Sequence, residues 1–271
     1  MSYLNKIILI KLGGSELDKP GLLDELGEEI LRNRKYTFII VHGGGKEITK
    51  ELEKHNIKSK FIDGLRLTSA REINIIDEVI TNKINSRIVS FWIKKGVPAI
   101  GLSGWKHNLF EVKPKEIKGH QAHFVGEIVS VNTSILLKYL ERSWIPVISP
   151  ISKNSIGFKY NVNADEAAVA IAASLSANKL IFISDVPGVI IKDKLIEKIS
   201  VTEIDNLIKS GIVKDGMAVK LLSILKSIKS GVEEAIITNW SCPDVISKIL
   251  RKEKVPLTLI SGGVNEYSKS T

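Results

Sequence analysis

The chain has 271 residues, 44% apolar and 25% charged, which suits one large α/β domain or two lobes with a sizeable core. Its single cysteine, Cys242, excludes an intramolecular disulfide and a cysteine metal cluster. The net charge of +9 comes from scattered lysines (Lys50, Lys54, Lys94, Lys95, Lys226, Lys229) in a chain poor in aromatics. That pattern argues against nucleic acid as a partner and leaves anionic small ligands or Lys-rich solvated helix faces.

Lys6–Leu12 is a short β-branched run that suits a strand buried on both faces and ends in Gly13-Gly14. Interrupted by Lys11, it is too short to span a membrane, and no signal-cleavage pattern follows, so a cytoplasmic protein without a membrane partner is expected. Pro20–Arg34 carries leucines and isoleucines at helical spacing. Tyr36–Val41 is a second buried strand, closed by His42 and Gly43-Gly44-Gly45 ahead of a helix. Ser69–Lys95 reads as one long helix and Val97–Leu102 as a third strand. From Asn108 to Val131 short alternating segments broken by Pro114, Gly119 and Gly126 predict a small antiparallel patch. Ile145–Ile151 then reads as a strand, Ala164–Leu175 as a helix after Asn163, and Lys179–Ser184 as a strand. A helix from about Gly216 to Lys229, a strand at Ala235–Thr238, a helix at Val245–Arg251 and a strand near Leu257–Ile260 complete the pattern. The alternation predicts an α/β protein, a three-layer αβα sandwich with a mainly parallel central sheet. A soft lobe boundary is placed near residue 175, dividing 1–175 from 176–271.

In such a sheet, ligands bind beyond the carboxyl ends of the strands. Three strands end in unusual turns: Lys11-Leu12-Gly13-Gly14, His42-Gly43-Gly44-Gly45 and Ser184-Asp185-Val186-Pro187-Gly188. Glycines there permit positive φ and bring backbone N–H groups to a ligand, and a helix N-terminus favours an anion. Neither the P-loop pattern nor G-x-G-x-x-G occurs. Lys11 lies inside a buried strand, a costly position unless it meets an anion. Lys220 and Asp165 stand near helix starts, where a solvated lysine and a capping carboxylate are the plain alternatives. Arg66 suits a carboxylate held bidentately, or a surface position. His42 alone reads as a turn or packing residue, and His120 and His123 as loop residues.

Taken in order, Lys11-x-Gly13-Gly14, His42-Gly43-Gly44-Gly45, Gly64-Leu65-Arg66-x-Thr68, Asn161-x-Asn163-Ala164-Asp165, Ser184-Asp185-Val186-x-Gly188 and Asp215-Gly216-Met217-x-x-Lys220 resemble the amino-acid kinase superfamily. The third and fourth motifs resemble its N-acetylglutamate kinase branch. The resemblance spans about residues 6–260. It implies ATP-dependent phosphorylation of the side-chain carboxylate of N-acetylglutamate, within arginine biosynthesis. Lys11 and Lys220 would stabilise the moving phosphoryl group, with Asp165 orienting both. Gly13, Gly14 and Gly43 would bind phosphoryl oxygens, and Gly44, Gly45, Arg66 and Asn161 the acyl amino acid. Asp185, Val186, Gly188, Gly216 and Met217 would form the ATP site, with Mg²⁺ carried by the nucleotide and no protein metal site. The resemblance also implies a homodimer built on the Ser69–Lys95 helix and, from the early first strand, insensitivity to arginine. One departure is Trp105-Lys106-His107-Asn108, where the family commonly shows an acidic residue and a glycine; this loop bears on the choice of acyl group. The alternatives are a kinase for another N-acylated or carrier-bound glutamate or aminoadipate, and a non-catalytic nucleotide or amino-acid sensor.

Overall fold

The computed structural model describes residues 6–62, 64–117, 119 and 123–262. A central sheet is built from β1 (Ile7–Leu12), β2 (Thr37–His42), β3 (Ala99–Ser103), β4 (Ile145–Ser149), β5 (Lys179–Ile183), β6 (Lys198–Ser200), β7 (Glu234–Thr238) and β8 (Leu257–Ser261). Their spatial order is β6-β8-β7-β5-β1-β2-β4-β3. All neighbours run parallel except β7 and β8. A parallel sheet must be covered on both faces, and two apolar clusters do this.

The alternation of β1 decides where the chemistry falls. Ile8, Ile10 and Leu12 enter the cluster formed with helices Leu22–Arg32, Gly45–Lys54 and Val245–Arg251. Ile7 and Leu9 face the opposite cluster, formed with helices Ala164–Ser174 and Asp215–Lys229. Lys11 shares the parity of Ile7 and Leu9, so it points toward the helices that carry Asp165 and Lys220.

Three expectations need correction in detail. The Ser69–Lys95 helix is a composite: Ala70–Asp77 is α-helical, Glu78–Asn85 is a π-helix and Ser86–Lys94 is α-helical again. Its start follows the sequence, with Ser69 and Glu72 forming a reciprocal capping box. The Ile145–Ile151 run leaves the central sheet at Pro150, and Ile151–Lys153 joins a different structure. The antiparallel patch is a four-stranded closed barrel in which Lys159–Val162, Val125–Val131, Phe110–Pro114 and Ile151–Lys153 pair in turn. Only two of its pairings are antiparallel. The hairpin Lys60–Ile62/Leu65–Leu67 and the helices Thr133–Leu140 and Val201–Lys209 were not anticipated.

Candidate active site

Asp165 is the second residue of the helix that Asn163 caps, the Asn163 side chain accepting hydrogen bonds from the backbone N–H groups of Asp165 and Glu166. The carboxylate therefore sits at the positive end of the helix dipole. Lys11 Nζ lies 2.7 Å from Asp165 Oδ1, and Lys220 Nζ donates to Oδ2. The ammonium of Lys220 also rests over the Phe182 ring, 4.6 Å from its centroid. Side-chain exposures of 14% for Lys11 and 12% for Lys220 mean that little water competes for these charges. Burial works to raise the Asp165 pKa, but the two ammonium groups overcome it and hold the carboxyl well below the usual carboxylate range. Burial pushes the Lys220 pKa down, with Asp165 opposing and Lys11 reinforcing that shift. Two positive charges share one negative charge, leaving a net positive focus for an anion.

Two cavities meet near this cluster. One, of about 360 Å³, is lined by Asp165, Lys220, Asp185, Val186, Gly216 and Met217 among others. The second, of about 140 Å³, is lined by Gly43, Gly44, Gly45, Arg66, Asn161 and Ala164 among others. Gly64 and Asn163 line both. The structure thus gathers most of the residues expected from sequence. Gly188 lines neither cavity: its φ of 156° and the nearness of Thr258, whose Oγ1 lies 2.4 Å from where a Cβ would stand, make it a packed turn. Gly13 is likewise structural, its N–H donating to Ile183 O at 3.0 Å.

The glycine turns work differently from the sequence expectation. None of Gly13, Gly14, Gly43, Gly44 and Gly45 has a positive φ. What they supply is close approach. A Cβ on Gly14 would lie 2.7 Å from Gly45 N, and one on Gly44 would lie 2.6 Å from Ile84 Cδ1. Two loops are pressed together, and among the described residues no hydrogen-bond partner meets the backbone N–H groups of Gly14, Gly44 and Gly45. Such free donors at a helix N-terminus suit an oxyanion or a phosphoryl group.

Arg66 is buried beside the smaller cavity. Its Nη2 donates to Gly45 O at 3.0 Å and Thr49 Oγ1 at 2.9 Å, its Nη1 donates to Ser59 Oγ, and the guanidinium lies 4.6 Å from the Phe61 ring centroid. Three contacts leave two of its five N–H groups for a ligand. Asn161 Nδ2 donates to Thr68 Oγ1 at 3.1 Å, which fixes its amide at the cavity wall. The Trp105–Asn108 loop lines neither cavity. Trp105 Nε1 donates to Asp77 Oδ1 at 3.1 Å, and Lys159 lies over its ring at 4.1 Å. His120 is outside the described residues, and His123 Nδ1 accepts from Val125 N.

His42 is buried, and desolvation lowers its pKa to about 4, against a smaller opposing effect of the Gly43 carbonyl. Its folded pKa lies below the unfolded value, so in mild acid the unfolded chain takes up a proton that the fold refuses. Stability is therefore expected to fall between pH 6.5 and pH 4, by up to about 3 kcal/mol. Denaturant unfolding across that range, in wild type and His42→Gln, checks this: the variant should lose most of the slope.

A mainly parallel sheet with glycine turns carrying unpaired N–H groups, cavities that meet beside a paired-lysine, single-carboxylate cluster, and no P-loop is the framework of a small-molecule kinase. The chain belongs to the amino acid kinase family, whose family model matches residues 6–239. It is 35% identical to an acetylglutamate kinase of Archaeoglobus fulgidus over 263 residues, covering 92% of this chain and 91% of that protein. It is 40% identical to an acetylglutamate kinase of Campylobacter fetus over 244 residues, covering 89% and 86%. Among solved structures, smu.665 from Streptococcus mutans UA159 superposes with a TM-score of 0.80 at 25% identity, over 95% of this chain and 99% of that one. An N-acetylglutamate synthase from Neisseria gonorrhoeae shares the fold with a TM-score of 0.82 at 19% identity, over 97% of this chain and 61% of that one.

Proposed function

We propose that the protein transfers the γ-phosphoryl group of ATP to the side-chain carboxylate of N-acetyl-L-glutamate, giving N-acetyl-L-glutamyl 5-phosphate in arginine biosynthesis. The observation that carries this is the sharing of Asp165 by Lys11 and Lys220 where two cavities meet. The names of the acetylglutamate kinases it resembles supply the acceptor.

ATP occupies the larger cavity, against Asp185, Val186, Gly216 and Met217, with Gly188 holding the turn behind them. The acyl amino acid occupies the smaller one, its α-carboxylate on Arg66 and its acylamino end near Asn161. The phosphoryl group passes between the Gly13-Gly14 and Gly43–Gly45 turns. The acceptor carboxylate is already ionised at neutral pH, so no general base is needed and catalysis is positioning plus charge stabilisation. Lys11 and Lys220 meet the phosphoryl oxygens from two sides, and Asp165 keeps the two ammonium groups from separating before the substrates arrive. Among the described residues no group of three or more His, Cys, Asp or Glu side chains is placed to hold a metal ion. In this reading Mg²⁺ arrives on the nucleotide phosphates, where it would neutralise charge. The acceptor site then belongs to an N-terminal lobe and most of the nucleotide site to a C-terminal lobe, dividing near residue 175. No helix of the described residues is long and apolar enough to cross a membrane, and a cytoplasmic homodimer is the assembly we assign.

A coupled ADP-release assay with Mg-ATP, offering N-acetylglutamate, N-succinylglutamate, N-acetylaminoadipate and free glutamate, tests the reaction. Turnover of N-acetylglutamate well above the others is expected; turnover of another acyl amino acid alone would move the substrate. Arg66→Ala is expected to raise the KM for the acyl amino acid about 10- to 100-fold, as a lost charge-assisted hydrogen bond does. The KM for ATP should shift by less than about twofold, which separates loss of the acceptor site from general damage.

A further inference from the structure

Asn85, the last residue of the π-helical segment, is buried, and its side chain reaches two groups at once. Its Nδ2 donates to Val147 O at 2.9 Å and lies 3.0 Å from His42 Nε2. A carbonyl oxygen only accepts, so the atom facing Val147 is the amide nitrogen. The second N–H of that amide then faces Nε2, which must be the bare, accepting nitrogen of the ring. On the other side of the ring, Nδ1 lies 3.0 Å from Gly43 O, another group that only accepts. Both ends of the imidazole therefore demand one tautomer, with the proton on Nδ1. The amide is locked as well: a Cβ on Gly101 would stand 2.4 Å from Asn85 Oδ1, so the glycine makes room for that orientation.

The consequence falls on the glycine turn. A trans peptide is planar, with its C=O and N–H opposed. Holding Gly43 O on His42 therefore turns the Gly44 N–H away from the ring, and Gly44 is a wall residue of the acceptor cavity whose N–H meets no partner among the described residues. Ile84, the neighbour of Asn85, packs on Gly44 from the same π segment.

The geometry points to Asn85 and His42 as positioning residues: Asn85 fixes His42 in the Nδ1–H tautomer, and His42 sets the Gly43–Gly44 peptide so that the Gly44 N–H serves as an oxyanion donor. The role deepens the reading of the Gly43–Ala164 cavity as the seat of the reacting carboxylate and phosphoryl group, and rests on it. Protonated His42 would still donate to Gly43 O but would present a second N–H to the Asn85 amide, and burial keeps its pKa down to about 4. The nearest charged groups, Arg87 and Glu47, neutralise each other as an ion pair at 2.6 Å.

Long-range ¹H–¹⁵N NMR of the ¹⁵N-histidine-labelled wild-type protein, with His42 assigned by its loss in His42→Gln, reads the tautomer without any turnover. Protonated Nδ1 and bare Nε2 from pH 5 to 8 are expected. An Nε2–H tautomer, or titration near 6.5, would overturn the proposal. Kinetics per folded molecule test the second half. His42→Asn keeps an amide N–H near the Nδ1 position, whereas His42→Gln moves the amide toward Nε2. The Asn variant should retain at least about tenfold more kcat than the Gln variant, and Asn85→Leu should lose about 10- to 100-fold in kcat with a smaller change in KM, as for an oxyanion donor knocked out of line. Equal kcat in all three variants, at the wild-type level, would sink the positioning role. A wild-type protein with the expected tautomer but no turnover of N-acetylglutamate would remove the substrate assignment and leave the tautomer standing.

Discussion

Lys11→Ala is expected to lower kcat by about three orders of magnitude while the KM for ATP moves by less than about threefold. Its ammonium is held on Asp165, and Lys11 is not among the residues that line the larger cavity, where the proposed function seats ATP. Ground-state binding of ATP should therefore lose little, whereas the charge gathering on the transferring group loses one of its two protein cations. Removing Lys11 also relieves like-charge pressure on Lys220, whose pKa is depressed by burial first and by Lys11 as a lesser cause. Against that relief, Asp165 loses one of its two ammonium partners, so the variant should still fold on the Lys220–Asp165 pair but with some loss of stability. Steady-state kinetics with thermal melting on the same sample checks both halves. A well-folded Lys11→Ala protein with wild-type kcat would mean that the phosphoryl group passes elsewhere.

Asp165→Asn is expected to fail differently. The two ammonium groups lose the counter-ion they share and face each other at low exposure. Breaking a buried pair from one side costs about 3–5 kcal/mol, because an uncompensated charge is left behind. Activity should fall about 100- to 10,000-fold, since the lysines no longer converge. The pH dependence carries a sign. The folded-state pKa of Asp165 lies below its unfolded value, so its stabilisation is present above about pH 4 and is lost as acid protonates the carboxylate. Denaturant titrations at neutral pH should thus separate wild type from Asp165→Asn, and the two curves should draw together in strong acid. Equal stabilities at neutral pH would show that the cluster is held by its surroundings rather than by the carboxylate.

The features legible in the sequence are those that demand a residue type locally. A lysine inside a buried strand has few reasons to be there, and β1 delivers it to the helices that carry its partners. The glycine turns were legible as a place, though not for the right reason: their requirement is the approach of two backbones at Gly14 and Gly45, which no one-dimensional pattern encodes. The sharing of Asp165 between Lys11 and Lys220 was available only through the family resemblance, because the three residues come from distant parts of the chain. The π segment had no signal at all. Glu78–Asn85 is rich in Val, Ile, Thr and Asn, which weaken a helix without specifying a wider turn, and that turn accompanies tertiary contacts such as Thr81 Oγ1 with Ser149 Oγ at 3.0 Å and Asn85 with Val147 O. His42 looked like a turn residue because its partner stands 43 positions away. Pro150 could have flagged the split between β4 and the barrel, since proline rarely continues a central strand.

The position of β1 has a further consequence for how the molecule is made. It precedes the other described strands of the sheet in chain order, yet it lies in the middle of that sheet, between β2 and β5. Its β5 edge stays open until a segment 171 positions later arrives, when Ile7 N also meets Asn178 Oδ1. Until then an apolar strand edge is exposed on the growing chain, the kind of surface that chaperones cover. The first half can gather its helices on β1 and β2, but Lys11 gains the Asp165 carboxylate only after residue 165 emerges, and Lys220 later still. The three charges therefore come together only once residue 220 has been made, and a chain stopped before that point carries the Gly43–Ala164 cavity without the Lys11–Asp165–Lys220 cluster.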